Sequence, residues 1–554
     1  MSPTTLQQHY VTLPNGQQLH YRCGGHGPPV LLLHPSPQSS TFSLPMAERL
    51  SRKFTVIALD TPGYGLSDPL PGNPTQPELV DYLPILKDFL DELGLQSIAI
   101  YGNATGAEIA QLFAHAYPER VALCMLDTAG HKEDADLDLM LADYFPNVTP
   151  RRDGGHLLTH WDMVRSLSLF SPWQKTDAAH RLSINVPSPQ EIHAKMLDYL
   201  RVGDRYAAAY RPAFYTAKHD LISRVKVPAT LMRWEGKPDL SEVDELITRG
   251  LPKNFTILHA GPSVEERQRV NEEYLLQHYL TQTASVKISN QSSLRSEVKN
   301  KLERKFLAVP NGQLHARVNY SGPGRVILAI HGASGSSASL HDWLTPLVGQ
   351  RPIIAIDLPG FGESRHLITN KHLTIESLAA QIIPLIDSLK ITEFEIFGFE
   401  MGAMVGLELA QLSYGRAQYL WSAGVPKLDN ATRKLWQENY APSIEPRWDG
   451  SHLVTAWAIV RDMQLFYPWF DRRSSAIILG DAAIDACSVD KKVTELLKIG
   501  GLWPTAISAM LSYTFEEKLA ASKIPHTTLP VDQNQLKLKE MLTRSATTGL
   551  GGTS

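Results

Sequence analysis

The chain has 554 residues, 43% hydrophobic and 20% charged, and a net charge of −4 from 53 basic and 57 acidic side chains. That balance excludes a disordered chain and an electrostatic binder of nucleic acid or anionic membranes. Three cysteines (Cys23, Cys124, Cys487) cannot staple this length and sit in no metal-binding spacing. The N-terminal MSPTTLQQHY has no basic segment followed by an apolar one, and the longest apolar runs, such as Pro29–Leu33, are of strand length. The expectation is a cytoplasmic protein with a small-molecule partner, no nucleic-acid or membrane partner, and no cofactor.

In chain order, Val30–His34 and Thr55–Asp60 are short apolar runs closed by turn residues, and Leu79–Leu93 has helical spacing. Ser97–Tyr101 reads as a strand, Ala107–Tyr117 as a helix and Val121–Asp127 as a strand. Such alternation means a mostly parallel sheet with helices on both faces. A stretch from about 132 to 217, rich in Trp, Tyr, His and Pro, breaks the rhythm before the strand at Val227–Arg233 resumes it. It reads as an inserted helical cap.

The chain repeats itself. Tyr144–Trp161 aligns without a gap on Tyr440–Trp457 at an offset of 296, and Phe170-Ser-Pro-Trp173 continues onto Phe466-Tyr-Pro-Trp469. Asp60-Thr-Pro-Gly-Tyr-Gly-Leu-Ser67 matches Asp357-Leu-Pro-Gly-Phe-Gly-Glu-Ser364 at an offset of 297, as His34 matches His331. One register held over a whole half marks a tandem duplication. The expected domains are 1–282 with a cap at about 132–217, and 305–546 with a cap at about 428–512. Residues 283–304 have polar linker composition, with a short helix expected near their end, and 547–554 (TTGLGGTS) should be disordered.

The decisive segment is Ile98-Ala-Ile-Tyr-Gly-Asn-Ala-Thr-Gly-Ala-Glu-Ile-Ala110, a strand entering Gly-x-x-x-Gly and then a helix. This is the setting of a nucleophile elbow, where a sharp turn exposes the central side chain above the sheet. Glu395-Ile-Phe-Gly-Phe-Glu-Met-Gly-Ala-Met-Val405 repeats it, so Ala104 and Glu400 are the central residues. With the segments His34-Pro-Ser-Pro37 and His331-Gly-Ala-Ser334 and the Asp-x-Pro-Gly-Aro-Gly-x-Ser loops, both halves resemble the α/β-hydrolase superfamily. The resemblance covers nearly everything outside linker and tail. It implies an α/β protein of two tandem domains, each a mostly parallel sheet flanked by helices with an inserted helical cap, the second shortened at its C-terminus. The cap motif Arg-x-Asp-Gly-x-His-Leu-x-x-x-Trp also resembles a bacterial subgroup whose elbow often reads Gly-x-His-Thr-Gly. Here Gly102-Asn-Ala-Thr-Gly106 keeps the Thr-Gly around alanine.

The departures matter more. The family's hydrolases need a nucleophile, an acid and a histidine in that order. Ala104 has no attacking atom. Asp239, in Gly236-Lys-Pro-Asp239, keeps the acid position, but Gly261-Pro262 stands where Gly-His is expected after the strand at Phe255–Gly261. His259, on that strand, is a substitute candidate against the plainer reading of a strand-end histidine. In the second half a short helix follows Pro530, and the segment that would hold the acid, the last strand and the histidine is missing. Glu400 could attack as a carboxylate, but the resulting ester needs a base that has gone. It could instead act as a base if burial raises its pKa, or face a cation or solvent and do nothing.

The N–H groups of Thr105 and Met401 would still offer an oxyanion or anion site with the loops after His34 and His331. Both histidines read mainly as loop-orienting, with His34 kept among the acid–base candidates and His331 among the ligand-lining ones. In the cap, Asp153, His156, Trp161 and Arg165 recur as Asp449, His452, Trp457 and Arg461. A functional reading lowers His156 and His452 into the pocket and has Arg165 and Trp161 bind substrate. A structural reading has Asp153 cap the helix and pair with Arg165 while the tryptophans pack; survival of the motif beside two lost triads favours it.

Two functions stand. One is an atypical, non-serine hydrolase or lyase-type activity of the N-terminal half on a small, fairly apolar metabolite, the C-terminal half being degenerate. The other is a catalytically dead pseudo-hydrolase that binds a small molecule or serves as a scaffold. The second half is expected to act as a built-in dimer partner, an intramolecular pseudo-dimer.

Overall fold

The computed structural model describes residues 6–129, 137–182, 184–216, 219–237, 240–280, 300–367 and 373–529. They fall into two compact units, Met1–Pro150 with Gly155–Ser289, and Asn290–Ser554 with Arg151–Gly154.

The N-terminal unit is built on eight strands: β1 (Gln7–Thr12), β2 (Gln18–Gly25), β3 (Pro29–Leu33), β4 (Thr55–Leu59), β5 (Ile98–Asn103), β6 (Val121–Asp127), β7 (Ala229–Trp234) and β8 (Phe255–Ala260). They form one sheet in the order β1-β2-β4-β3-β5-β6-β7-β8. β1–β2 and β2–β4 pair antiparallel, and the remaining neighbours are parallel. The central strands are apolar through their middles, with polar residues such as Thr55, Asn103 and Asp127 only at their ends, because both faces are covered. Leu31, Leu33, Ile57, Leu59, Ile98 and Ile100 enter one core, and their neighbours Val30, Leu32, Val56, Ala58, Ala99 and Tyr101 enter the other.

Helices α1 (Leu44–Leu50), α2 (Tyr82–Glu92) and α3 (Thr105–Ala116) follow β3, β4 and β5. The cap, between β6 and β7, holds α4 (Leu137–Tyr144), α5 (Gly155–Ser166), α6 (Pro189–Val202), α7 (Tyr210–Thr216) and α8 (His219–Arg224). α9 (Ser241–Arg249) and α10 (Val264–His278) complete the unit. α2, α3 and α9 bury apolar stripes on one face, including Phe89, Phe113 and Leu246; α1 and α10 bury Leu50 and Leu275 on the other. Each such fully buried side chain contributes roughly 1.5–3 kcal/mol. α6 has sequence-coded ends: a capping box of Ser188 and Glu191, Pro189 in its first turn, and Gly203 at φ 66° past its end.

The C-terminal unit repeats the plan. Its strands are β9 (Glu303–Val309), β10 (Gly312–Asn319), β11 (Val326–Ile330), β12 (Ile353–Ile356), β13 (Phe394–Phe399), β14 (Ala417–Ala423) and β15 (His526–Leu529), in the order β9-β10-β12-β11-β13-β14-β15. Its helices are α11 (His341–Leu344), α12 (Ile375–Ser388), α13 (Met401–Leu412) and, between β14 and β15, α14 (Asn430–Asn439), α15 (Ser451–Asp462), α16 (Ala486–Ile499), α17 (Leu502–Ser512) and α18 (Phe515–Ala521). β15 stands where β7 stands in the first sheet, and no counterpart of β8 occurs among the described residues. One expectation is corrected. Glu303 and Arg304, given to the linker, lie in β9, paired with Val318 and Arg317, so strand pairing replaces the expected helix there. The rest of the linker up to residue 299, the helix expected after Pro530 and the tail lie outside the described residues. Among the described residues no helix is long and apolar enough to cross a membrane.

Candidate functional site

Both elbows are formed. Ala104 sits at φ 48°, ψ −117° between β5 and α3, and Glu400 at φ 48°, ψ −116° between β13 and α13. Flanking glycines make the turn possible: a Cβ on Gly106 would fall 2.3 Å from the Leu33 carbonyl oxygen, and one on Gly402 2.1 Å from that of Ile330. The apex N–H donates to the next strand, Ala104 to Asp127 O (3.0 Å) and Glu400 to Ala423 O (2.7 Å). Thr105 and Met401 open α3 and α13, so their N–H groups have no intrahelical acceptor and lie at the positive helix end.

The loops after β3 and β11 flank these apices, because Leu33 pairs with Gly102 and Ile330 with Gly398. His34 is buried, its Nδ1–H donating to Pro35 O (2.9 Å) and its Nε2 accepting from Thr61 N (2.9 Å). His331 repeats this with Gly332 O (2.7 Å) and Leu358 N (3.0 Å). Burial holds both imidazoles below their usual pKa, so each is a neutral clamp with both nitrogens engaged.

The shared Asp-x-Pro-Gly loops have a similar rationale. Asp60 accepts from Ser40 N (2.7 Å), Leu66 N (2.8 Å) and His20 Nδ1 (2.7 Å). Asp357 accepts from Ser337 N (2.7 Å), Glu363 N (2.9 Å) and His315 Nδ1 (2.9 Å). Burial alone would raise these carboxyls, but the facing histidines and the donors outweigh it and hold both below the usual range. Asp127, at the end of β6, is likewise engaged. It accepts from Tyr101 Oη and lies 3.6 Å from Arg267 Nε, whose guanidinium stacks 4.1 Å over Trp234.

The other sequence candidates scatter. His259 is exposed on β8, opposite Arg233, which pairs with Asp244. Asp239 lies outside the described residues. In the cap, Trp161 and His156 are buried on α5, as are Trp457 and His452 on α15. His452 Nδ1 accepts from Arg447 N (3.2 Å), and Asp449, one residue before the Gly450 N-cap of α15, accepts from Ser451 N (3.0 Å). Arg165 pairs with Asp162 one turn earlier (2.8 Å), and Asp153 with Arg151 (2.6 Å). The Pro-Trp repeats are structural too, with Trp173 Nε1 donating to Tyr144 O (3.1 Å) and Trp469 Nε1 to Tyr440 O (2.9 Å).

Sequence reasoning missed His160. It is 1% exposed on α5, and neither ring nitrogen has a hydrogen-bond partner among the described residues. Tyr199 and Tyr206 present their rings edge-on at 6.1 and 5.8 Å. Burial, with His156 nearby, pushes its pKa down to about 3, so at neutral pH it offers one donor and one lone pair. The cage continues through Tyr144, Phe145, Tyr210 and Phe214, with Tyr144 Oη and Tyr210 Oη 2.6 Å apart. It is anchored on the loops beside the apex: Tyr64 Oη donates to Tyr206 O (3.2 Å) and accepts from Ala209 N (2.7 Å), and Ser39 Oγ donates to Asp198 (3.1 Å). Tyr64 also lines a recess of about 230 Å³ with Tyr82, Arg201 and Arg205.

The family profile described as alpha/beta hydrolase fold matches residues 28–216 and 325–441, more than half of the chain. The chain belongs to the alpha/beta hydrolase fold family. As an alpha/beta hydrolase fold protein it is similar, at 36% identity over 118 residues, to a 2-hydroxy-6-oxononadienedioate/2-hydroxy-6-oxononatrienedioate hydrolase of Pseudomonas putida, covering 20% of this chain and 41% of that protein. A soluble epoxide hydrolase of a Corynebacterium species is 32% identical over 108 residues, 19% of this chain and 36% of its own. An uncharacterised protein of Mycobacterium tuberculosis is 30% identical over 143 residues, 26% of this chain and 40% of its own. The chain thus spans about two fifths of the length of these relatives. Among solved structures, E-2-(acetamidomethylene)succinate hydrolase superposes with a TM-score of 0.36 at 19% identity, covering 50% of this chain and 99% of that one.

Proposed function

We propose that the N-terminal unit of this alpha/beta hydrolase fold protein acts on a small, largely apolar metabolite held between the Ala104 apex and the tyrosine-lined cap. The chemistry is atypical, hydrolytic or lyase-like, and passes through no ester on the apex residue, because alanine has no atom to form one. The C-terminal unit takes no part in this reaction.

The observation that carries the reading is His160. A buried imidazole with two unmade hydrogen bonds destabilises a fold, and such groups persist mainly where something else uses them. Its surroundings are aromatic with few polar atoms, the composition of a small-molecule site. In the reaction His160 would orient a polar handle of the substrate, the Thr105 N–H would stabilise developing negative charge, and the aromatic walls would exclude water. The fold's C-terminal strand edge, where α/β proteins bind their ligands, is where Ala104, Thr105 and the loops that anchor the cage converge.

The test is a turnover assay on metabolites retained by the full chain, with intact-mass measurement during turnover. Product formation by wild type without any mass adduct supports the reading. An adduct, or unchanged turnover in His160→Ala, contradicts it. A second reading, ligand binding without turnover, draws on one observation: the apex has no nucleophile and both nitrogens of His34 are already engaged. Retention of a ligand that no variant and no condition converts would favour it.

A further inference from the structure

The C-terminal apex is not a degenerate copy of the N-terminal one. Where Ala104 presents a methyl group, Glu400 presents a half-buried carboxylate. It lies across two loop glycines: a Cβ on Gly332 would fall 2.5 Å from Glu400 Oε2, and one on Gly424 3.2 Å from its Cγ. No hydrogen bond or ion pair reaches this carboxylate among the described residues. Burial, uncompensated by any cation, pushes its pKa up to about 7.

The charge of Glu400 reaches two phenols of the second cap: with burial as the larger cause, the pKa of Tyr440 is raised well above normal, and that of Tyr467, a residue 53% exposed with its ring packed on Trp436, is raised to about 12. Neither hydroxyl has a partner among the described residues, whereas that of Tyr144, the counterpart of Tyr440, is taken by Tyr210. Behind them stands an aromatic wall. Trp436 stacks on Tyr440 at 4.9 Å and meets Tyr467 edge-on at 5.3 Å, and Phe470 lies 6.3 Å from Tyr440. The indole N–H of Trp436 is itself buried and without a partner among the described residues.

We propose that the C-terminal unit carries a separate small-molecule site at Glu400 that binds the primary ammonium group of a small amine with an apolar tail. A carboxylate only accepts hydrogen bonds, and phenol oxygens can accept them. A primary ammonium brings three donors and a charge, so it satisfies Glu400, Tyr440 and Tyr467 together, and aromatic faces attract cations. An anion would be repelled by Glu400, and a neutral carbonyl would leave the carboxylate unpaired. This site is independent of the reading of the N-terminal unit.

The charge of Glu400 acts on the Tyr440 and Tyr467 phenols of the cap; next to its loop neighbour Gly332 in sequence stands the neutral clamp His331, on which Asp357 and, from α16, Glu495 act. The cation Lys498 is held by Glu495 and Glu363. Ionisation of Glu400 is therefore the titration that gates binding near neutral pH.

The experiment is isothermal titration calorimetry on the full chain with benzylamine, phenethylamine and hexylamine, beside benzyl alcohol. At least one amine should bind at pH 8 at least tenfold more tightly than the alcohol, and about tenfold more tightly than at pH 6, as Glu400 ionises. Glu400→Gln and Glu400→Ala should lose most of that affinity, and Tyr440→Phe part of it. Alanine at an apex of this conformation is already accommodated at Ala104, so Glu400→Ala keeps the test open if the glutamine variant misfolds. The proposal is overturned if no amine binds, if the alcohol binds as well, or if both Glu400 variants bind as wild type does.

Discussion

Ala104 and Glu400 share one strained backbone conformation, φ 48° with ψ near −117°, although neither is a nucleophilic serine and neither is glycine. Such a conformation costs about 1–3 kcal/mol per residue and persists only where packing over-determines it. Here the packing is Gly102 against Gly106 and Ala107 with Gly106 against Leu33 and His34, and likewise Gly398 against Gly402 and Ala403 with Gly402 against Ile330 and His331. Gly106→Ala and Gly402→Ala should each destabilise their unit by about 3 kcal/mol or more, since each new methyl meets backbone rather than a movable side chain. Urea denaturation measures this; a loss under about 1 kcal/mol would mean that the elbows relax freely.

The duplicated histidine clamps predict matched losses. His34→Ala and His331→Ala each remove two buried hydrogen bonds to backbone and leave buried backbone groups unpaired. Each should cost about 2–4 kcal/mol. The two losses should agree closely, because the partner distances agree. A His34→Ala variant as stable as wild type would contradict the clamp.

Glu108 predicts a pH dependence. It is buried on α3 and accepts from Gln111 Nε2 (3.0 Å); burial first, and the charge of Glu242 second, push its carboxyl up to about 8. The folded state therefore favours the protonated acid. That stabilisation is complete below the unfolded-state pKa of about 4.3 and is lost as pH rises through 8. Glu108→Gln should match wild type near pH 4 and exceed it by about 5 kcal/mol at pH 9, read from urea midpoints. Equal stability at both pH values would show that Glu108 ionises freely.

Much of the fold was legible because parallel strands covered on both faces must be continuously apolar, as Pro29–Leu33 and Val121–Leu126 are. The elbow and the Asp60 loop were legible because glycine spacing records close backbone approach. What lay hidden did so for physical reasons. His160 was hidden by the comparison of the two halves. Its counterpart is Ala456, and comparing copies selects what both need for folding while discarding what only one needs for chemistry. The Tyr101–Asp127–Arg267 cluster joins three distant segments, a pairing that no local pattern records.

The most direct measurement is metabolite retention by native mass spectrometry, on wild type beside His160→Leu. Leucine fills similar space with no polar atom, so the variant should be as stable as wild type or more so. If His160 holds the substrate's polar handle, wild type retains a small metabolite, His160→Leu loses roughly tenfold or more of that affinity, and the melting temperature does not fall. Equal retention by the leucine variant, or a folded wild type that retains nothing from a broad metabolite mixture, would contradict the account.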